Sequence, residues 1–291
     1  MNIARTGGED FQYVLTRYAL ERLLYRLSKS EHASHFVLKG ALLFQFWTRT
    51  PHRATRDLDL LALGQPSVAH FEEVFKDVCR EAVEDDGLEL LVRSIKGEQI
   101  KEEDEYQGIR IRGQAKLGNV RIPLQVDVGF GDAITPGPSE IQYPTLLDFP
   151  APKLLAYNRE TVVAEKFQAM VYLGMTNSRM KDFFDVWSLA RDFEFDGALL
   201  SQAIAATFKR RNTAMPAGLP LALSDEFATD ATKNTQWKAF LRKGTLDANG
   251  ADLSAVVQFL RTFLGPVIET LPAGQAFTGT WKSSGPWQIG P

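Results

Sequence analysis

The chain has 291 residues, 44% of them hydrophobic and 24% charged, with a formal net charge of −3. That is an ordinary composition for a globular protein with room for one large domain or two smaller ones. No window approaches the roughly 18 uninterrupted apolar residues of a membrane helix, and the negative balance argues against a surface built throughout to hold nucleic acid. Local basic patches stay open.

The first ten residues are polar and lack an apolar signal core. Cys79 has no second cysteine to pair with. Both features fit the reducing cytoplasm, and Cys79, inside a helical pattern over 71–83, reads as a core thiol. Residues 9–27 bring Phe11, Val14, Leu15, Tyr18, Leu23, Leu24 and Leu27 close to one helical stripe. A polar break at 28–34 leads to a short strand at 35–38, a turn at Gly40 and a helix over 41–46. Residues 48–55 form a loop with Arg49, His52 and Arg53 around Pro51, and Arg56 lies just beyond. Arginines here are either solvated or meet a phosphate.

A second strand covers 56–62, and Ser67 caps a helix running to residue 83. A third strand at 88–95 is followed by a charged loop at 96–105. Strands at 106–117 and 120–130 flank Gly118-Asn119, a two-residue turn suited to an antiparallel hairpin. In the later strand Val120, Ile122, Leu124, Val126 and Val128 alternate with Arg121, Pro123, Gln125 and Asp127, so Asp127 faces away from the core. Pro123 donates no ladder hydrogen bond and predicts a free edge or a bulge beside it.

The Gly- and Pro-rich stretch 129–150 holds the expected domain boundary, set at 145/146. Beyond it helices are expected at 161–173, 180–190, 199–208 and 253–268, with an irregular connector at 212–223 and coil over 274–291. The expected class is α+β. Residues 1–145 form a mixed, partly antiparallel sheet flanked by helices, and 146–291 a mainly helical domain.

Asp57 and Asp59, two apart on a strand, share a face while Leu58 and Leu60 point to the core. If the strand of Asp127 neighbours them, three carboxylates converge, which requires a cation or a shared proton. An all-oxygen site favours Mg²⁺ or Mn²⁺, hard ions that also take substrate phosphates as ligands. The four histidines show no zinc spacing. A D-x-D pair alone is weak. It strengthens because a glycine turn and a helix start precede it, where the N–H groups of Gly40 and Ala41 suit phosphate oxygens. The combination points to a metal-dependent phosphate site.

These pieces resemble the core of DNA polymerase β-type nucleotidyltransferases. More narrowly, the chain resembles the AbiEii/AbiGii toxin family, in Phe36-Val37-Leu38-Lys39-Gly40-Ala41-Leu42, in Arg53-Ala54-Thr55-Arg56-Asp57-Leu58-Asp59 and in Val126-Asp127-Val128-Gly129-Phe130-Gly131-Asp132. Ala164-Glu165-Lys166-Phe167 and Arg179-Met180-Lys181-Asp182-Phe183-Phe184-Asp185 continue the match in order. The resemblance implies a toxin of a toxin–antitoxin or phage-abortive-infection system. Such a toxin uses a nucleoside triphosphate (NTP), and relatives add nucleotides to the tRNA 3′ end. A cognate antitoxin is the expected partner, and no membrane is.

Carried over by position, Asp57 and Asp59 would hold Mg²⁺ or Mn²⁺. Asp127 would complete the metal site and help deprotonate the attacking hydroxyl. Lys39, Gly40 and Ala41 would form the phosphate turn, with Arg53 and Arg56 as basic neighbours. Lys166 would meet the triphosphate, and Asp182 and Asp185 would line the cleft from the helical domain. The visible departure is Ala41, where the family has Gly-Gly-Thr or Gly-Ser. Alanine keeps the N–H but lacks a hydroxyl, and a glycine-only dihedral there would cost stability.

Blander alternatives stand beside these roles. Lys166 could be a solvated helix residue, and Asp182 with Asp185 a solvated acidic face. Arg49, Arg53 and Arg56 form one basic patch, and Lys209-Arg210-Arg211 with Lys238, Arg242 and Lys243 another; each is either an RNA contact or plain surface. The rivals to tRNA transfer are a protein or small-molecule acceptor and a non-catalytic nucleotide-binding module. A metal nuclease is disfavoured, because a hydrolase needs no phosphate turn.

Overall fold

The computed structural model describes residues 2–48, 53–102, 106–246, 248 and 250–289. Arg49 and His52 of the expected basic loop lie outside the described residues. The chain divides into two compact units, one of residues 1–131 with 138–157, the other of 132–137 with 158–291. The segment 146–157, assigned by the sequence to the helical half, is thus counted with the first unit, where it supplies a strand to the main sheet.

In the first unit α1 (Asn2–Gly7) and α2 (Phe11–Lys29) precede β1 (Phe36–Lys39), α3 (Leu42–Thr48), β2 (Leu58–Ala62) and α4 (Val68–Arg80). Then come β3 (Leu88–Leu90), β4 (Lys96–Glu102), β5 (Tyr106–Leu117), β6 (Val120–Phe130), β7 (Ser139–Gln142) and β8 (Lys153–Ala156). The strands form one mixed sheet in the order β3-β5-β6-β2-β1-β8-β7, with β4 also on β5. β5 and β6 make the antiparallel hairpin about Gly118-Asn119, with Leu117 opposite Val120. β2 runs parallel to β6 and antiparallel to β1. Helices α2 and α4 pack against the sheet and each other, burying Leu20, Leu24, Val74 and Phe75 together with Leu58, Leu60, Ile109, Ile111, Val126 and Val128. The period-two pattern of β6 is therefore realised, with its apolar set on the core.

Several boundaries differ from the sequence reading. Asp10 caps α2 by accepting from the Tyr13 N–H at 2.9 Å, so the helix starts at Phe11. The polar first ten residues contain α1, for which the sequence sets no element. The strand expected at 88–95 stops at Leu90 and gives way to a 3₁₀ turn at Val92–Ser94. The charged loop expected from 96 is instead β4, paired from Lys96–Arg112 to Glu102–Tyr106. Charged residues are acceptable there because the polar side of a strand needs no apolar partner. Pro123 sits on the part of β6 beyond its pairing with β2, which begins at Val126, so among the described residues the edge beside it is unpaired, the first of the two outcomes expected. Cys79 is half-buried, and burial pushes its thiol up to about 12, which leaves it unreactive.

The second unit holds α5 (Arg159–Leu173), α6 (Met180–Asp192), β9 (Phe195–Asp196), α7 (Gly197–Arg210), α8 (Asp225–Thr229), α9 (Ala231–Gly244) and α10 (Leu253–Thr270), then β10 (Thr280–Trp281) and β11 (Trp287–Gln288). The four expected helices are present. Asn158, Asp196, Asp230 and Asp252 each cap a helix by accepting a backbone N–H three residues on. The expected C-terminal coil is corrected: it returns as β10 and β11 to form a small sheet with β9. Trp281 is buried there and donates its indole N–H to the Ala190 carbonyl at 2.6 Å.

Candidate active site

Cross-strand register builds the site. Lys39 of β1 lies opposite Asp59 of β2, Asp59 beside Asp127 of β6, and Asp127 opposite Arg110 of β5. Residues paired across a sheet point to the same face, so four charges stand on one rung in the order plus, minus, minus, plus. Asp57, just before β2, adds a third carboxylate. One oxygen from each of Asp57, Asp59 and Asp127 lies within 4.8 Å of the others. At an effective dielectric near 20, each pair of charges at 4.8 Å repels by about 3.5 kcal/mol, so the cluster needs counter-charge.

Part of that counter-charge is built in. Arg110 donates Nε to Asp127 Oδ1 at 2.7 Å and Nη2 to Asp127 Oδ2 at 2.7 Å. The hydrogen-bonded carboxylate raises the guanidinium above its ordinary value, against a smaller opposing effect of burial. Gln125 adds a longer bond to Asp127 Oδ2 at 3.4 Å, and the Thr55 hydroxyl donates to Asp57 Oδ1. At the other end of the rung Lys39 is a buried residue, 8% exposed, whose ammonium lies 6.0 Å from the centre of the Tyr157 ring.

Gly40, at the end of β1, has φ +76, and a Cβ built there would sit 2.7 Å from Cβ and Cγ of Asp59. The turn and the carboxylate therefore occupy adjoining space that admits no side chain. Ala41 is absent from the described non-glycine residues with positive φ, which are Asn212, Thr245 and Ser284. The glycine-only dihedral feared at 41 does not arise.

The donor set suits a hard divalent ion. It is all oxygen, two of its carboxylates are half-exposed, and Asp127 retains lone pairs beyond those Arg110 uses.

In the second unit Lys166 of α5 meets two carboxylates of α6, Asp182 at 2.6 Å and Asp185 at 2.8 Å. Asp182 is 4% exposed and Asp185 fully buried, which overturns the reading of a solvated acidic face. Their spacing of three puts both on the side of α6 that faces Lys166. Arg211 turns inward onto Asp132 at 3.3 Å and Glu165 at 3.5 Å, and donates to Gln168 at 2.9 Å. It therefore leaves the expected basic patch, whose members Lys209, Arg210, Lys238, Arg242 and Lys243 are exposed. In the first unit Arg56 is exposed and Arg53 half-buried, its carbonyl accepting from the Tyr13 hydroxyl at 3.5 Å.

Arg110 went unread in the sequence, although a signal existed. Counting eight residues back from Gly118 and eight forward from Asn119 leads to the paired Arg110 and Asp127.

The model of a family described as nucleotidyl transferase AbiEii toxin, of a type IV toxin–antitoxin system, matches residues 22–259. No curated protein matches the chain. Among solved structures, a candidate nucleotidyltransferase from H. pylori is similar with a TM-score of 0.53 and 14% identity, over 91% of this chain and 99% of that one. JHP933 from Helicobacter pylori is similar with a TM-score of 0.51 and 14% identity, over 91% and 95%. At that identity the likeness concerns the fold.

Proposed function

The chain belongs to the AbiEii nucleotidyltransferase toxin family of type IV toxin–antitoxin systems, and from that premise we propose that it transfers a nucleoside monophosphate from an NTP to an acceptor hydroxyl. The observation that carries the reading is the convergence of Asp57, Asp59 and Asp127 within 4.8 Å on one sheet face. These three residues would hold Mg²⁺ or Mn²⁺. When bound, the cation supplies positive charge for the triphosphate and for the charge that develops during transfer.

The acceptor oxygen attacks the α-phosphorus in line, the bond to the β-phosphate oxygen breaks, and pyrophosphate leaves. Asp127 helps take the hydroxyl proton. Lys39, Gly40 and Ala41 shape the turn that receives phosphate through backbone N–H groups, since Ala41 offers no hydroxyl. Arg53 and Arg56 add positive charge near it. Lys166, steadied by Asp182 and Asp185, is the proposed triphosphate residue of the helical unit. Fixed donors and cations stabilise the reacting phosphate without reorganising at the moment of reaction.

The proposed acceptor is the 3′ end of tRNA, with an antitoxin as partner and the cytoplasm as the working compartment. The net charge of −3 and the inward turn of Arg211 favour a second reading, in which the acceptor is a protein or small-molecule hydroxyl. Incubation with each of the four labelled NTPs and a whole-cell extract, followed by nuclease or protease, separates the two. Label released by nuclease alone supports tRNA. Label released by protease alone supports the rival, and no label in any macromolecule or small product rejects transfer altogether.

A further inference from the structure

Within the acidic cluster Asp127 is held by the side chains of Arg110 and Gln125. The Arg110 fork meets both its oxygens at 2.7 Å, which fixes the position of the carboxylate and also the rotation of its plane. Asp127 is also shielded, with 9% of its side chain exposed. Arg110 has a second acidic residue opposite it, Glu98 of β4. That carboxylate is instead taken by Arg112 at 2.8 Å, so Arg110 is directed to Asp127. The antiparallel register of β5 and β6 makes the pairing a property of the hairpin.

We infer that Arg110 is a positioning residue for Asp127, orienting its carboxylate through the fork while its charge weakens the cluster's hold on a divalent cation. This rests on the reading of the cluster as a metal and nucleotide site. The two effects have different chemical origins. The charge effect belongs to any cation at position 110, because it offsets one of three clustered negative charges. The orienting effect belongs to the planar guanidinium alone, because an ammonium is a point donor without a fork. Removing the charge should therefore tighten cation binding even as it loosens Asp127, since a divalent ion feels a lost unit charge twofold.

Mn²⁺ binding without nucleotide, followed by electron paramagnetic resonance, and steady-state nucleotide transfer would be compared in wild type, Arg110→Gln and Arg110→Lys. Arg110→Gln should bind Mn²⁺ about tenfold tighter or more, yet lose roughly tenfold or more in kcat. Arg110→Lys should bind Mn²⁺ within about threefold of wild type while its kcat stays low. Unchanged or weaker Mn²⁺ binding in Arg110→Gln overturns the inference, as does full kcat in Arg110→Lys. Circular dichroism establishes folding; should Arg110→Gln not fold, Arg110→Lys decides on its kcat. Asp57→Ala and Asp59→Ala serve as separate controls. If they bind Mn²⁺ like wild type the metal site itself is wrong, whereas binding lost there with Arg110→Gln unchanged sinks only the role of Arg110.

Discussion

Gly40 carries two constraints at once, a positive φ and the side chain of Asp59 against its α-carbon. Gly40→Ala should cost about 1–3 kcal/mol from the backbone alone and push Asp59 out of the cluster. We expect a lower Tm together with loss of Mn²⁺ binding; a variant that keeps both would show that the close approach is dispensable. Glu21, buried in α2, makes a different demand. Burial pushes its carboxyl up to about 7, although the Leu146 N–H donates to Oε2 at 2.7 Å, and among the described residues Oε1 has no hydrogen-bond partner. From the ordinary value of 4.5 up to about 7, the unfolded chain ionises while the folded one keeps the proton. Stability therefore declines across that interval, by on the order of 3 kcal/mol, and stays lowered above it. Glu21→Gln keeps an acceptor for Leu146 and removes the ionisation. Its gain in Tm over wild type should be larger at pH 8 than at pH 5, and an equal difference at both would refute the assignment.

Between elements, Asp86 ties the loop before β3 to α2. It accepts from Arg22 Nε at 2.8 Å and from Arg26 at 2.7 and 3.1 Å, with all three side chains largely buried. Asp86→Ala strands two buried guanidinium groups and should cost about 3–5 kcal/mol in urea unfolding. A loss below about 1 kcal/mol would mean that water or other acceptors replace the carboxylate. Elements with strong periodicity were legible from the residues: the β5–β6 hairpin, the cap at Ser67 and the helices α5 and α6 all follow from local pattern and turn chemistry. Other elements were not, among them β4, α9 and β9 to β11. β4 is written in charged residues and exists through pairing with β5. α9 buries only Lys233 and Trp237, which leaves few core positions to mark it in the sequence. The strands β9 to β11 are two residues each, held by long-range contacts such as Trp281 to Ala190 that no local window contains.

At the scale of the whole chain, family membership and the fold class were readable because the motifs follow one another in order over roughly 35–190, inside the 22–259 that the family model matches. The carboxylates could be named, but their convergence depended on β2 lying parallel to β6 in the register that sets Asp59 beside Asp127. Sequence alone left that conditional. The burial of Asp182 and Asp185 was equally hidden, because Lys166 sits on another helix. A net charge of −3 makes any RNA contact a local matter. If Lys209 and Arg210 contribute one, reversing both charges should flatten the salt dependence of tRNA binding, and an unchanged slope would exclude that surface. The central claim is transfer at the three-carboxylate cluster, and it is tested most directly by transfer of labelled nucleotide with wild type and Asp59→Asn, both shown to be folded. Transfer by wild type that falls by about a thousandfold or more in Asp59→Asn is the expected result; equal transfer by both would place the chemistry elsewhere.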